Sequence, residues 1–206
     1  MNDLLNNRIK IGVHTGSSPG PSDPFSGDFA NWRNWLSWPE IRIYQSVSAN
    51  VRPIDQIIAT TFHELAHASH WKNGTRTCFD LSNKCVIEGW ARCVQWGLTN
   101  VEYASLGQTY NWNTGAQGQS KTNSTSSWND GYIPFYIDLI DNVNQRAVNS
   151  GNTDFAIDAV TGFNIRNVED AVIGSRTLYQ SWEALKAQNI ANEGQLWDLF
   201  DFYNTL

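Results

Sequence analysis

The chain has 206 residues, 41% apolar and 17% charged, a composition that excludes a disordered polymer and suits one substantial core. Its net charge of -6, from 14 basic and 20 acidic side chains, leaves no electrostatic footprint for nucleic acid or for an anionic membrane. No apolar run of about 18 residues is present, which excludes a membrane-spanning helix, and the expectation is a single domain over residues 1–206.

The opening "MNDLLNNRIKIG" has no basic stretch followed by an apolar one, so it does not read as a secretion signal. Ten tryptophans set among Asn, Ser, Thr and Gly give the texture of exported proteins. We therefore expect a secreted or cell-envelope protein, this chain being part of a longer one.

Taken in order, "RIKIGVH" (8–14) and "IRIYQSV" (41–47) alternate β-branched or aromatic residues with polar ones, as half-buried strands do. Between them "TGSSPGPSDPFSGD" reads as loop, and "FANWRNWLSW" as a short helix carrying Trp32, Trp35 and Trp38. Pro53, Asp55 and the closing "KNG" at Gly74 bound a helix over roughly 54–72. A second helix is expected from 84 to 97, through "KCVIEGWARCVQWG". Residues 102–131 are poor in aliphatics and read as a long polar loop of the kind that lines or covers a site. Helical patterns follow at 133–149, at 167–189 with a break near Gly174, and at 193–203. The expected class is α+β: a small N-terminal sheet followed by a mostly helical body.

Cys78, Cys85 and Cys93 lack CxxC spacing, which argues against a cysteine zinc site. On one helix Cys85 and Cys93 would stand about 12 Å apart, too far for a disulfide. A Cys78–Cys85 bridge across "CFDLSNKC" is the feasible pairing, a reduced pair is its alternative, and Cys93 reads as a small buried residue.

The chemistry concentrates in "TTFHELAHASHW" (60–71), which holds three of the chain's 4 histidines. On a helix at about 100° per residue, His63, His67 and His70 share one face, and Ile58, Thr61, Phe62, Leu65 and Ser69 lie opposite. The apolar side is expected to face the core and the histidine side something polar. Imidazoles at i and i+4 can reach one ion, and Glu64 sits where it can reach a water on that ion. This is the H-E-x-x-H arrangement, with His63 and His67 as zinc ligands and Glu64 as general base.

A catalytic zinc ion needs a third protein ligand. His70 lies about 10 Å along the axis from His63 and is read as a neighbour of the site or a cleft wall. The HExxHxxGxxH scheme fails, because His70 stands at its glycine position and Asn73 at its last histidine. Glu88, in the apolar segment "CVIEGWARC", is the candidate, since a carboxylate there needs a partner and Gly89 allows close packing. The bland alternative is an ion pair with Arg92 at i+4.

These residues, "HELAH" at 63–67 and "EGWA" at 88–91, resemble the gluzincin zinc metallopeptidases, the thermolysin-like grouping with HExxH and a glutamate ligand on a later helix. The resemblance covers about thirty residues. It implies a zincin-like fold, His63, His67 and Glu88 as Zn2+ ligands, Glu64 as base, a peptide or protein substrate, and "IRIYQS" as the edge strand that binds it. Thermolysin has asparagine before its ligand glutamate and this chain has Ile87, so the relationship implied is remote. Tyr132, Tyr136, Tyr110 and His70 are candidates by chemistry for stabilising the oxyanion. Two other readings stay open. One is an inactive zincin-like or Trp-rich binding module for carbohydrate or protein, using Trp112 and Trp128. The other is a zinc amidase or esterase that does not act on peptides.

Overall fold

Alternation builds the sheet: Ile41 and Ile43 are fully buried on one side of a strand and Arg42 between them is half-buried. The computed structural model describes residues 10–17, 27–30, 40–47, 50–74, 76–110, 120 and 131–204. It places that strand, β3 (Glu40–Val47), between β1 (Lys10–Ser17), which runs parallel to it, and β2 (Gly27–Ala30), which runs antiparallel. A two-residue β4 (Asn50–Val51) pairs antiparallel with the end of β3. The segment "IRIYQS" is therefore an inner strand, correcting the expectation of a substrate-binding edge. Its N–H and C=O groups are engaged along both sides, by Ile41↔Ile11 and Ile41↔Phe29 among others.

The strand β1 reaches Ser17, and β2 takes Gly27 and Asp28 from the expected loop and Phe29 and Ala30 from the expected tryptophan helix. The remainder of both, with Trp32, Trp35 and Trp38, lies outside the described residues, as do Trp112 and Trp128.

Helix α1 (Ile54–Asn73) follows Pro53, whose missing N–H costs nothing at a helix start, and stops at Gly74, whose N–H reaches the His70 carbonyl at 3.0 Å. It forms a middle layer. Ile57, Leu65 and Ala68 pack on Ile41 and Ile43 of the sheet, while α2 (Arg76–Leu81) and α3 (Lys84–Ser105) lie on its other side. The histidine side of α1 meets the polar side chains of Glu88 and Gln95, and Leu65 of the opposite side packs on the sheet. His63, Glu64, His67 and His70 are all buried, and Phe62, Leu65 and Ser69 are only half-buried.

Helix α3 runs two turns beyond the expected stop at Gly97. That glycine serves packing rather than termination: a Cβ there would stand 2.8 Å from Ile165 Cδ1 and 3.3 Å from Ile140 Cδ1. The main core gathers beyond α3, around Trp90, Ile133, Phe135, Val168, Leu185 and Phe200. The expected helix at 133–149 is two single turns, α4 (Phe135–Asp138) and α5 (Gln145–Val148). Side chains interrupt it: Asp141 accepts from Val143 N at 3.1 Å and Asn144 from Ala147 N at 3.0 Å, offering the backbone an alternative to helix. The next pattern does break at Gly174 (φ 88°), between α6 (Ile165–Val172) and α7 (Leu178–Ala187), and α8 (Glu193–Asn204) ends the described chain. The architecture is α+β, a small N-terminal sheet and a mostly helical body. No described helix is long and apolar enough to cross a membrane. No disulfide forms among the described residues, so the Cys78–Cys85 bridge is absent and the reduced alternative holds.

Candidate metal centre

A hydrogen bond ties the two helices together: Trp90 Nε1 on α3 donates to the Ala66 carbonyl on α1 at 3.1 Å, both buried. Gly89 lets the segment after residue 131 close in behind, since a Cβ there would sit 3.2 Å from the Tyr136 ring. This packing brings the i and i+4 histidines of α1 opposite Glu88.

The result is a triangle of donor atoms. His63 Nε2 and His67 Nε2 are 3.2 Å apart, and Glu88 Oε2 is 3.3 Å from the first and 3.4 Å from the second. His63 and His67 are 2% and 7% exposed and the Glu88 side chain 22%, so the cluster is walled by α1 and opens at Glu88. Glu88 Oε2 is buried and accepts no well-formed hydrogen bond. The alternative of a Glu88–Arg92 ion pair is not what forms, because Arg92 Nη1 donates to the Tyr132 carbonyl at 2.8 Å.

Electrostatics follow from the convergence. Burial disfavours the charged forms of both His67 and Glu88, but each outweighs that penalty in the other. The His67 charge and the close imidazole nitrogens hold the Glu88 carboxyl well below the carboxylate range. The Glu88 and Glu64 charges raise His67 in turn. Two imidazoles and a carboxylate that compete for protons this way form a group that can hold a metal ion.

Glu64 is buried one position beyond His63, near enough for its charge to act on His67. The sequence reading overlooked Gln95. Its buried Oε1 accepts from His63 Nδ1 at 3.1 Å. The signal was present, since residues seven apart fall on one helix face and Gln95 is two turns from Glu88.

The four oxyanion candidates separate. The Tyr132 ring stacks on His63, centroids 6.0 Å apart at 29°, and is half-buried. Tyr136 is fully buried and donates to Ser181 Oγ at 2.9 Å, which commits its hydroxyl to the core. Tyr110 is buried beside Gln95, the residue that accepts from His63 Nδ1. His70 is 1% exposed under the Phe79 ring, at a centroid distance of 5.2 Å, so it lines no cleft and stands outside the donor cluster. Burial and His67 lower its pKa to about 4, which keeps it neutral.

Comparison with protein-family models, curated proteins and solved structures finds no match for this chain.

Proposed function

We propose that the protein is a zinc-dependent metallopeptidase, remotely related to the gluzincins and zincin-like in fold, with His63, His67 and Glu88 as ligands and Glu64 as general base. The observation that carries this reading is the triangle with sides of 3.2, 3.3 and 3.4 Å. Ligands at 2.0–2.1 Å from a tetrahedral zinc ion stand about 3.3–3.4 Å from one another, so the three atoms match one face of that tetrahedron. Two nitrogens and one oxygen suit zinc better than calcium or magnesium, which take oxygen.

A zinc ion bound there supplies Lewis acidity, polarising a carbonyl and acidifying water towards a pKa of about 7. Glu64 takes the proton of the attacking water and returns it to the leaving amine. Gln95 holds His63 in the tautomer whose Nε2 is free to ligate. Tyr132, stacked on His63, is the candidate best placed to donate to the developing oxyanion. The choice of a peptide or protein substrate rests on the HExxH-plus-glutamate resemblance, and action outside the cytoplasm on composition.

The test is metal analysis and peptide-library digestion of the wild type and of Glu64→Ala. The expected result is about one zinc per chain in both, with cleavage only in the wild type. Equal cleavage by the two proteins overturns the assignment of Glu64. Zinc without cleavage in either favours a binding module.

A further inference from the structure

A cavity of about 460 Å³ lies where the end of α1, α2 and the turn between α6 and α7 meet. That volume is in the range of small-molecule sites and exceeds what a bare ion fills. Ile173 and the buried Cys78 give it apolar surface, and Asn73, Arg176 and Gln180 line it with polar side chains. None of His63, Glu64, His67 and Glu88 takes part.

Backbone contacts hold the α6–α7 turn in place. Ser82 Oγ donates to the Ser175 carbonyl at 2.9 Å, Asn83 N to the Arg176 carbonyl at 2.8 Å, and Arg176 N to Gln180 Oε1 at 2.7 Å. Gly174 leaves space in the turn, since a Cβ there would meet nothing within 4 Å. A wall fixed in this way needs little ordering when a ligand arrives.

The Arg176 side chain is exposed, and among the described residues its guanidinium makes no hydrogen bond or ion pair, whereas those of Arg92, Arg146 and Arg166 are engaged. No Asp or Glu lines the cavity, and Glu169, which Asn73 reaches, is matched by Arg166 at 3.3 Å. In a chain of net charge -6 this pocket thus carries one cation and no anion. The two amides add direction. Gln180 Oε1 is taken by Arg176 N, which leaves its Nε2 hydrogens to donate. Asn73 Nδ2 is turned to Ser69 Oγ and Glu169 Oε1, each at 3.1 Å, which leaves Asn73 Oδ1 to accept.

We propose that this cavity binds a carboxylate that carries an apolar body and an adjacent N–H. Arg176 and Gln180 Nε2 take the two carboxylate oxygens, Ile173 and Cys78 the apolar body, and Asn73 Oδ1 the N–H. A guanidinium is matched to carboxylate geometry, and one positive charge balances a monoanion better than a phosphate dianion. An N-acylated amino acid and the C-terminal residue of a peptide share this chemistry. The inference is independent of the peptidase reading, because no proposed metal ligand lines the cavity.

Calorimetric titration of the full-length protein with N-acetyl-leucine, with an acetylated tetrapeptide ending in leucine, and with the carboxamide of each tests it. The expected result is one saturable site per chain for the acids, with the carboxamides and inorganic phosphate weaker by roughly 10–100-fold, as loss of a charged hydrogen bond costs. Arg176→Gln is expected to lose the same factor at an unchanged Tm, Arg176→Lys to keep part of the affinity, and His63→Ala to bind as the wild type does. Tighter binding of the tetrapeptide supports a peptide C-terminus as the ligand, and tighter binding of N-acetyl-leucine a free acid. Absence of saturable binding of either acid at millimolar concentration overturns the proposal, as does equal binding of acid and carboxamide. Binding that persists undiminished in Arg176→Gln but is lost in His63→Ala overturns it too and puts the carboxylate at the triangle.

Discussion

Gln95 Oε1 accepts a hydrogen bond from His63 Nδ1 at 3.1 Å, which leaves the histidine lone pair on Nε2, the atom facing His67 and Glu88. Gln95→Leu removes the acceptor and frees the other tautomer. Metal affinity is expected to fall by roughly 10–100-fold, measured by competition with a chromophoric chelator. Gln95→Glu keeps an acceptor at that place and is expected to retain most of the affinity. Equal losses in the two variants would point to a packing defect instead.

Metal and fold should be linked through the α1–α3 seam. Protein in free zinc at about 100 times the dissociation constant is expected to gain about 2.7 kcal/mol over the stripped form, seen as a rise in Tm that depends on metal concentration. Glu88→Ala opens the triangle and is expected to abolish that dependence. A metal-induced shift that survives in Glu88→Ala places the stabilising ion elsewhere.

Two glycines with nearly equal φ are expected to respond differently to alanine. Gly131 has φ 89°, and a Cβ on it would lie 2.5 Å from the backbone carbon of Lys84 and 2.6 Å from its oxygen. Gly174 has φ 88° and open space around the same position. Gly174→Ala carries only the backbone penalty, about 1–2 kcal/mol. Gly131→Ala must also push apart the start of α3 and the residue before Tyr132, and is expected to cost several times that. Urea unfolding of the pair gives the comparison, and equal losses refute it.

His70 sets a pH window. Its folded pKa of about 4 lies below the ordinary 6.5, so between these values the unfolded chain holds a proton that the folded chain does not. Its contribution to stability is present above 6.5 and drains away as pH falls towards about 4. His70→Phe keeps an edge-on ring against Phe79 and removes the titration. The variant's stability, measured by urea unfolding at pH 5 and pH 7.5, is expected to fall less on acidification than the wild type's; an unchanged difference disproves the assignment.

The proposed metal ligands were legible because their chemistry is local. Four-residue spacing on α1 and an acid in an apolar segment of α3 are visible without tertiary structure, and Glu88 meets His63 and His67 as expected. Where sequence reading went astray, the deciding contacts came from distant residues. Gly97 reads as a helix stop until Ile165 is known to press against it. How deeply the histidine face is buried is not visible in the sequence, because it depends on α3 packing over it, where Trp90 donates to the Ala66 carbonyl across the seam. The inner position of β3 depends on β2, four residues whose "GDFA" carries no alternation to announce a strand. The acids at 138, 141 and 158 look like ordinary polar punctuation along the chain, and only folding shows them buried.

One feature of the α1–α2–α3 arrangement bears on how the protein is made. All three proposed ligands, the proposed base Glu64 and Gln95 fall within the continuous stretch from His63 to Gln95, with only the short α2 between the two long helices. Closing so short a loop costs little chain entropy, and helix pairs of this kind form quickly. The parallel pairing of β1 with β3 spans a longer detour through β2 and belongs to the slower class of events. The candidate metal pocket is thus expected to be complete while the sheet is still assembling, so that an ion captured early would act as a nucleus on which the remaining layers condense.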